Sequence, residues 1–347
     1  MGIRIQIARL FRIFRHIAIG LWALSGLALV GCFLLYWLYG GLLAFLLLIA
    51  VFLGLLYQAE DHLLYHPELP PHARAFVPMP TMFGLPYENL YIRSGDGTLL
   101  HMFFIKQPDD RIMNCPTIVF FHGNAGNIGH RLSNVAGLYQ NLKCNILLPE
   151  YRGYGLSQGK PSEEGLYMDA RSALDYITSR NDVNKSEIIV FGRSLGGAVA
   201  IDLACRPEYA DKIWCIILEN TFTSIPEMAK VFVHWQCINY LPLCFYKNKF
   251  LSSYKITMLR VAVLFISGLG DTLVPSRMMN ELHSRCGSEL KQIIQIVNGT
   301  HNETWTMPGY YKHIACFLQS NIDKKTILNP SSNDSSITRT WQNIQNI

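Results

Sequence analysis

The residues best suited to do chemistry lie in a short segment around Ser194. Residues 188–191 read Ile-Ile-Val-Phe, which is typical of a strand buried on both faces, and residues 195–204 carry apolar side chains at helical spacing. Gly192, Ser194 and Gly196 stand between them in a Gly-x-Ser-x-Gly pattern. The glycines leave room for a sharp turn that would project the serine hydroxyl from the end of a sheet. Ser194 is therefore the predicted nucleophile, and an ordinary Gly- and Ser-rich loop is the alternative.

A serine hydroxyl becomes a good nucleophile beside a general base, and that base needs a carboxylate to orient it. Asp271 follows the apolar run 263–266, and His301 follows the next apolar run at 292–297. Both would lie at the carboxyl edge of a parallel sheet, where catalytic groups gather. We predict that His301 is the base and Asp271 its acid. Glu219 is the alternative acid, and capping of a following helix is the alternative role of Asp271.

The tetrahedral intermediate of such a reaction needs backbone N–H groups that hold its oxyanion. The N–H of Leu195, at the start of the predicted helix, is one candidate. The second is the N–H of Asn124 in the segment Phe-His-Gly-Asn-Ala-Gly-Asn, where Gly123 lets the backbone approach the substrate. A phosphate-binding loop is the rival interpretation, but neither G-x-G-x-x-G nor a Walker lysine is present. No cofactor is predicted.

Composition limits the other functions that this chain could have. Its 347 residues suit one large catalytic domain with attachments. Four arginines in the first sixteen residues supply most of the net charge of +5, namely Arg4, Arg9, Arg12 and Arg15. The nearly neutral remainder argues against nucleic-acid binding and for a basic flank beside a membrane. The nine cysteines show neither C-x-x-C nor zinc spacing, so no metal site is predicted.

Residues 17–57 contain no charged residue and predict a transmembrane segment. One long span fits this length, and so does a hairpin that turns near Gly40 and Gly41. The basic flank of residues 1–16 and the short run 42–57 favour one span, a signal anchor that places the catalytic domain on the lumenal or extracellular side.

Two N-glycosylation sequons bear on that orientation. Asn298 and Asn302 each begin an N-x-S/T sequon, and they flank His301. They are the candidate glycosylation sites. A glycan beside the catalytic base would obstruct a bilayer-bound substrate, which argues for the cytoplasmic side instead.

The rest of the chain divides by composition. Residues 58–86 are proline-rich and predict a linker, residues 87–320 predict the catalytic domain, and residues 321–347 predict a disordered tail. Within the catalytic domain, apolar runs alternate with helical patterns. This alternation predicts an α/β fold with a mostly parallel sheet covered by helices on both faces.

An apolar insertion at residues 222–254 interrupts the alternation of strands and helices. Its aromatic and aliphatic content predicts a small cap over a pocket, with Phe232 and Trp235 as substrate-binding residues. The alternative is a helical packing layer without substrate contact.

Seven segments, occurring in order, resemble the membrane-anchored α/β-hydrolase domain-containing protein 13 group. They are FFHGNAGNIGHRL, YRGYGLSQGKPSEEGLY, FGRSLGGAVAIDLA, ENTFTSIPEMA, YLPLCFYKNKFLS, LFISGLGDTLVP and NGTHNETW. The similarity covers about residues 55–320 and implies an α/β-hydrolase fold in which Ser194, Asp271 and His301 form the family triad. More distantly, the segments look like serine hydrolases that remove palmitate from cysteine. Pro149-Glu150, where the family usually carries Asp-Tyr, departs from the pattern outside the triad.

Together these features predict a membrane-anchored serine hydrolase that cleaves an ester or thioester through an acyl-serine intermediate. A tethered enzyme meets acyl chains that are concentrated in the bilayer, so a lipid or an acylated protein is the expected substrate. A catalytically inactive scaffold of the same fold and an acyltransferase using the same serine are the alternatives. The sequence leaves the oligomeric state open.

Overall fold

The computed structural model describes Arg15 and residues 26–108, 110–233 and 239–328. Contacts divide the chain into two units, one of residues 1–65 with 235–249 and one of residues 66–234 with 250–347. Most of the predicted basic flank, Trp235 and most of the predicted tail lie outside the described residues.

The larger unit is built on one eight-stranded sheet in the order β1-β2-β4-β3-β5-β6-β7-β8. Its strands are β1 (Tyr87–Arg93), β2 (Leu99–Ile105), β3 (Thr117–Phe121), β4 (Asn145–Pro149), β5 (Ile188–Arg193), β6 (Cys215–Glu219), β7 (Ala262–Gly268) and β8 (Lys291–Ile296). The pairs β1-β2 and β2-β4 are antiparallel, and every other neighbouring pair is parallel. The predicted mostly parallel sheet is confirmed.

Helices cover both faces of this sheet. The helices of the larger unit are α3 (Leu132–Leu142), α4 (Glu163–Ser179), α5 (Leu195–Ala204), α6 (Pro207–Ala210), α7 (Ile225–Phe232), α8 (Ser252–Lys255), α9 (Ser276–Arg285) and α10 (Tyr310–Leu328). Phe120 and Phe191 stack with ring centroids 4.7 Å apart and belong to the core that α3 and α10 cover. Phe265 packs against His283 of α9 instead. Alternate strand residues thus face different helix layers, as a sheet buried on both sides requires.

The proline-rich segment after residue 65 packs on the loop that follows β3. The His66 N–H donates to the Asn124 carbonyl at 2.9 Å, and the Asn127 side-chain amide donates to the Ala73 and Phe76 carbonyls at 2.8 and 2.9 Å. Residues 66–76 are therefore part of the larger unit. This differs from the prediction of a linker, because these backbone contacts join residues about fifty positions apart and leave no local sequence pattern.

The smaller unit contains two apolar helices, described as α1 (Gly26–Tyr39) and α2 (Gly41–Leu64). Gly40 has φ of 84°, and the Cys32 sulfur lies 3.8 Å from the Ala44 carbonyl oxygen. Residues twelve apart would be about 18 Å apart along a straight helix, so the chain reverses at Gly40. This reversal differs from the single continuous span that we expect from the sequence. Among the described helices, α2 is the one long and apolar enough to cross a membrane, by length and composition.

The carboxyl end of α2 binds part of the predicted cap within the same unit. Glu60 accepts the backbone N–H groups of Lys247 and Asn248 at 2.8 and 2.7 Å. Asp61 accepts the Asn248 amide at 2.8 Å and pairs with the Lys247 ammonium group. The predicted cap is therefore divided, with α7 in the larger unit and residues 239–249 bound to the end of α2.

Candidate active site

Ser194 occupies the turn between β5 and α5, with φ of 55° and ψ of −119°. Non-glycine residues seldom adopt this conformation, which the surrounding structure must enforce. A Cβ added at Gly192 would lie 2.3 Å from the Gly196 carbonyl oxygen, and one added at Gly196 would lie 2.1 Å from the Phe121 carbonyl oxygen. Both glycines are therefore needed for the turn that carries the serine.

His301 lies between Ser194 and Asp271. Its Nε2 is 3.0 Å from the Ser194 Oγ, and its Nδ1 is 2.7 Å from the Asp271 Oδ2. The other oxygen of Asp271 accepts the backbone N–H groups of Leu273 and Val274, each at 2.8 Å. One carboxylate thus orders its own loop and orients the imidazole. The three residues that the sequence singles out lie within hydrogen-bond distance of one another in series.

Glu219, the alternative acid, is bound elsewhere. Its side chain is fully buried, accepts the Tyr310 hydroxyl at 2.5 Å and lies 3.6 Å from the Arg193 Nε. The carboxylate that contacts His301 is that of Asp271.

The loop after β3 lies directly against the serine. A Cβ added at Gly123 would be 3.4 Å from the Ser194 Cβ and 3.9 Å from its Oγ, which is van der Waals contact. The Asn124 carbonyl accepts the His66 N–H at 2.9 Å and the Tyr154 hydroxyl at 3.1 Å. These bonds hold the peptide between Asn124 and Ala125. The predicted donor, the Asn124 N–H, belongs to the preceding peptide, whose Gly123 carbonyl oxygen lies 2.7 Å from the His122 Nδ1. Leu195, the other predicted donor, is buried as the first residue of α5.

A buried pair of polar side chains lies beneath this loop. The His122 Nε2 is 3.0 Å from the Glu150 Oε1, and neither side chain is exposed. The other oxygen of Glu150 accepts the Ile128 N–H at 3.0 Å. The Glu150 carboxylate therefore contacts residues at both ends of the loop.

A cavity of about 250 Å³ opens beside the serine. Its lining includes Ser194, His301 and Asn124 together with Arg131 and Arg193. Phe232, a predicted substrate-binding residue, is 55% exposed on α7 and is not among the described residues that line the cavity. Trp235, the second such prediction, lies outside the described residues.

Sequence reasoning missed three polar residues near the site, Asn220, Arg193 and Arg131. Asn220 follows β6, donates to the Thr300 carbonyl at 3.2 Å and accepts the Gly268 N–H at 2.8 Å, so it joins the loops that carry the acid and the base. Its position just after a buried strand is the signal that could have revealed it. Within the described residues, no group of three or more His, Cys, Asp or Glu is placed to hold a metal ion.

Comparison with known proteins identifies the family of the fold. Residues 116–236 match the family model of the alpha/beta hydrolase fold. Alpha/beta hydrolase domain-containing protein WAV2 of Arabidopsis thaliana is 38% identical over 290 residues, which cover 78% of this chain and 91% of that protein. A membrane protein of Saccharomyces cerevisiae, YNL320W, is 32% identical over 291 residues, covering 80% of this chain and 94% of that protein. The chain therefore belongs to the α/β-hydrolase family.

Solved structures show the same fold at greater sequence distance. An esterase from Pyrococcus furiosus is similar with a TM-score of 0.58 and 18% sequence identity, over 70% of this chain and 94% of that one. At this identity the likeness concerns the fold.

Proposed function

We propose that this protein is a serine hydrolase that cleaves an ester or thioester through an acyl-Ser194 intermediate. The observation that carries the proposal is the position of His301, in contact with both the Ser194 hydroxyl and the Asp271 carboxylate. In the first step the Ser194 Oγ attacks the substrate carbonyl carbon while the His301 Nε2 accepts the hydroxyl proton. Asp271 holds the imidazole orientation and stabilises the imidazolium that forms.

The remaining steps use the same groups. Negative charge develops on the carbonyl oxygen, and we propose that the N–H groups of Leu195 and Asn124 stabilise it. His301 then donates the proton to the departing alkoxide or thiolate, and Ser194 remains acylated. A water molecule, deprotonated by His301, attacks that acyl group and releases the acid and the free serine.

The proposed substrate is an ester or thioester of a lipid or an acylated protein. The similar Pyrococcus furiosus protein is an esterase, which supports ester chemistry. The apolar length of α2 supports attachment to a bilayer, where such substrates are concentrated. The seven sequence segments described above support membership of the narrower protein 13 group.

We further propose that the membrane anchor is a hairpin. The basic flank and the short run 42–57 favour a single span with a lumenal catalytic domain. The reversal at Gly40 supports a hairpin that returns the domain to the cytoplasmic side. Asn302 also lines the cavity, where a glycan would obstruct the site. In intact microsomes the domain should be digested by protease without detergent and show no glycan shift. Protection together with a glycan shift would restore the single-pass arrangement.

A fluorophosphonate probe tests the catalytic proposal on the full chain in detergent. The wild type should be labelled, and Ser194→Ala should lose labelling. Ser284→Ala, the same change at an exposed position on α9, should keep it. An unlabelled wild type, or equal labelling of wild type and Ser194→Ala, would refute the assignment.

A further inference from the structure

Two arginines line the cavity beside Ser194, and only one has a carboxylate partner among the described residues. The Arg193 Nε lies 3.6 Å from the buried Glu219 carboxylate. Its Nη2 donates to the His301 carbonyl at 2.8 Å and to the Asn302 Oδ1 at 3.3 Å. The charge of Arg193 is therefore balanced, and its donors hold the loop that carries the base.

Arg131 is held differently. Its Nη2 donates to the Ala125 carbonyl, whereas its Nε is buried and has no hydrogen-bond partner within the described residues. In that part of the chain no carboxylate lies at ion-pair distance from it. Glu150 acts on Arg131 through space, but its Oε2 accepts the Ile128 N–H and its Oε1 lies 3.0 Å from the His122 Nε2.

The environment of Arg131 is unfavourable for a cation. Burial and, secondarily, the charge of Arg193 lower the pKa of Arg131 to about 10. The guanidinium is still protonated at neutral pH. A partly buried positive charge without a counter-ion costs free energy, and a carboxylate or phosphate would offset that cost with charge-assisted hydrogen bonds.

We propose that the cavity binds an anionic group, a carboxylate or a phosphate, that the substrate carries a few bonds from its scissile ester. This inference rests on the proposed function, because it takes Ser194 as the point of attack. Arg131 would be the ligand of the anion. Guanidinium suits this role because its planar donors match the oxygens of carboxylate and phosphate. The substrate would then be an acidic ester, such as an acyl lipid with a phosphate near the ester or a half-ester of a dicarboxylic acid.

Matched competitors test the proposal without requiring that either be hydrolysed. The rate of fluorophosphonate labelling of Ser194 is measured on the full chain in detergent micelles with two pairs of compounds. One pair is oleoyl lysophosphatidic acid and mono-oleoylglycerol, which differ by the phosphate. The other pair is monomethyl glutarate and methyl 4-carbamoylbutyrate, which differ by carboxylate against carboxamide. In at least one pair the anionic member should protect Ser194 at a concentration ~10–100-fold lower than the neutral one, as expected for a hydrogen bond to a charged group. A difference within the lipid pair would identify the anion as a phosphate, and a difference within the glutarate pair would identify it as a carboxylate.

Variants assign the effect to Arg131. Arg131→Met should abolish the preference for the anion, and Arg131→Lys should retain part of it, with each variant compared with its own labelling rate without competitor. Arg111→Met is the matched control. Arg111 precedes the amino end of β3, its side chain is about half exposed, and it does not line the cavity.

Three results would overturn the inference. One is a wild type that the probe labels but that the two members of each pair protect at equal concentrations. The second is a preference that survives in Arg131→Met. The third is an Arg131→Met protein that loses uncompeted labelling while Arg131→Lys keeps it without any preference, since Arg131 would then only support the loop at Ala125. An unlabelled wild type would instead refute the proposed serine chemistry itself.

Discussion

Arg152 and Arg131 carry the same charge but are held in opposite ways. The guanidinium of Arg152 binds the Asp169 carboxylate at 2.7 Å, the Asp96 carboxylate at 2.7 Å and the Ser94 hydroxyl at 3.2 Å. Arg131 has one carbonyl acceptor and a buried Nε without a partner in the described structure. The donors of Arg152 are occupied by groups of the protein, and Arg152 joins the chain segments that carry Asp169, Asp96 and Ser94. Arg131 has donors left for a ligand, and it lies beside the serine.

The same contrast separates the two sides of the candidate site. On the acid-base side, both oxygens of Asp271 and both ring nitrogens of His301 have partners at 2.7 to 3.0 Å. On the cavity side, the charge of Arg131 lacks a partner within the described residues. Reacting groups whose hydrogen bonds are all made within the protein stay in fixed positions. A charged group that lacks a partner in the protein can bind a substrate.

The largest stability effect should come from Arg152. Arg152→Met would leave the nearly buried Asp169 carboxylate without its cation, so the free energy of unfolding should fall by about 3–5 kcal/mol. Denaturant melts of the full chain in detergent measure this loss. Asp169→Asn combined with Arg152→Met should recover part of it, because the double variant no longer buries an unpaired charge. A loss below about 1 kcal/mol in Arg152→Met would break the contrast between the two arginines.

The smaller effect belongs to Arg131. Arg131→Met removes a charge that the described residues do not balance, so the free energy of unfolding should change by less than about 1 kcal/mol. Adding the anion that protects Ser194 should raise the melting temperature of the wild type and leave that of Arg131→Met unchanged. A loss as large as that of Arg152→Met would mean that Arg131 also serves the fold.

Much of the architecture follows from local pattern, because buried strands are short apolar runs with clear ends. The predicted strand at 188–191 lies within β5, the apolar run at 263–266 lies within β7, and the predicted helix at 195–204 is α5. The chain order and strand-end positions of Ser194, Asp271 and His301 bring them to one edge of the sheet. This follows because parallel strands end on the same side.

The parts that sequence did not predict depend on contacts between distant residues. Arg131 follows a glycine-containing loop, and no spacing in the sequence indicates that its side chain lines the cavity. The packing of residues 66–76 likewise depends on Asn127, which lies about fifty positions away. Gly40 allows both a straight passage and a reversal, since glycine adopts positive φ without a steric penalty. Only tertiary contacts such as that of Cys32 with Ala44 distinguish the two.

In the proposed mechanism Ser194 carries the acyl group during turnover. To detect this intermediate, the full chain is mixed with a 4-nitrophenyl ester and the reaction is quenched with acid during the first turnover. The modified peptide is then identified by mass spectrometry. We expect a stoichiometric burst of nitrophenol and an acyl mass on the peptide that contains Ser194, both absent from Ser194→Ala. Turnover of the ester with the Ser194 peptide unmodified, or with the acyl group on another residue, would contradict this mechanism.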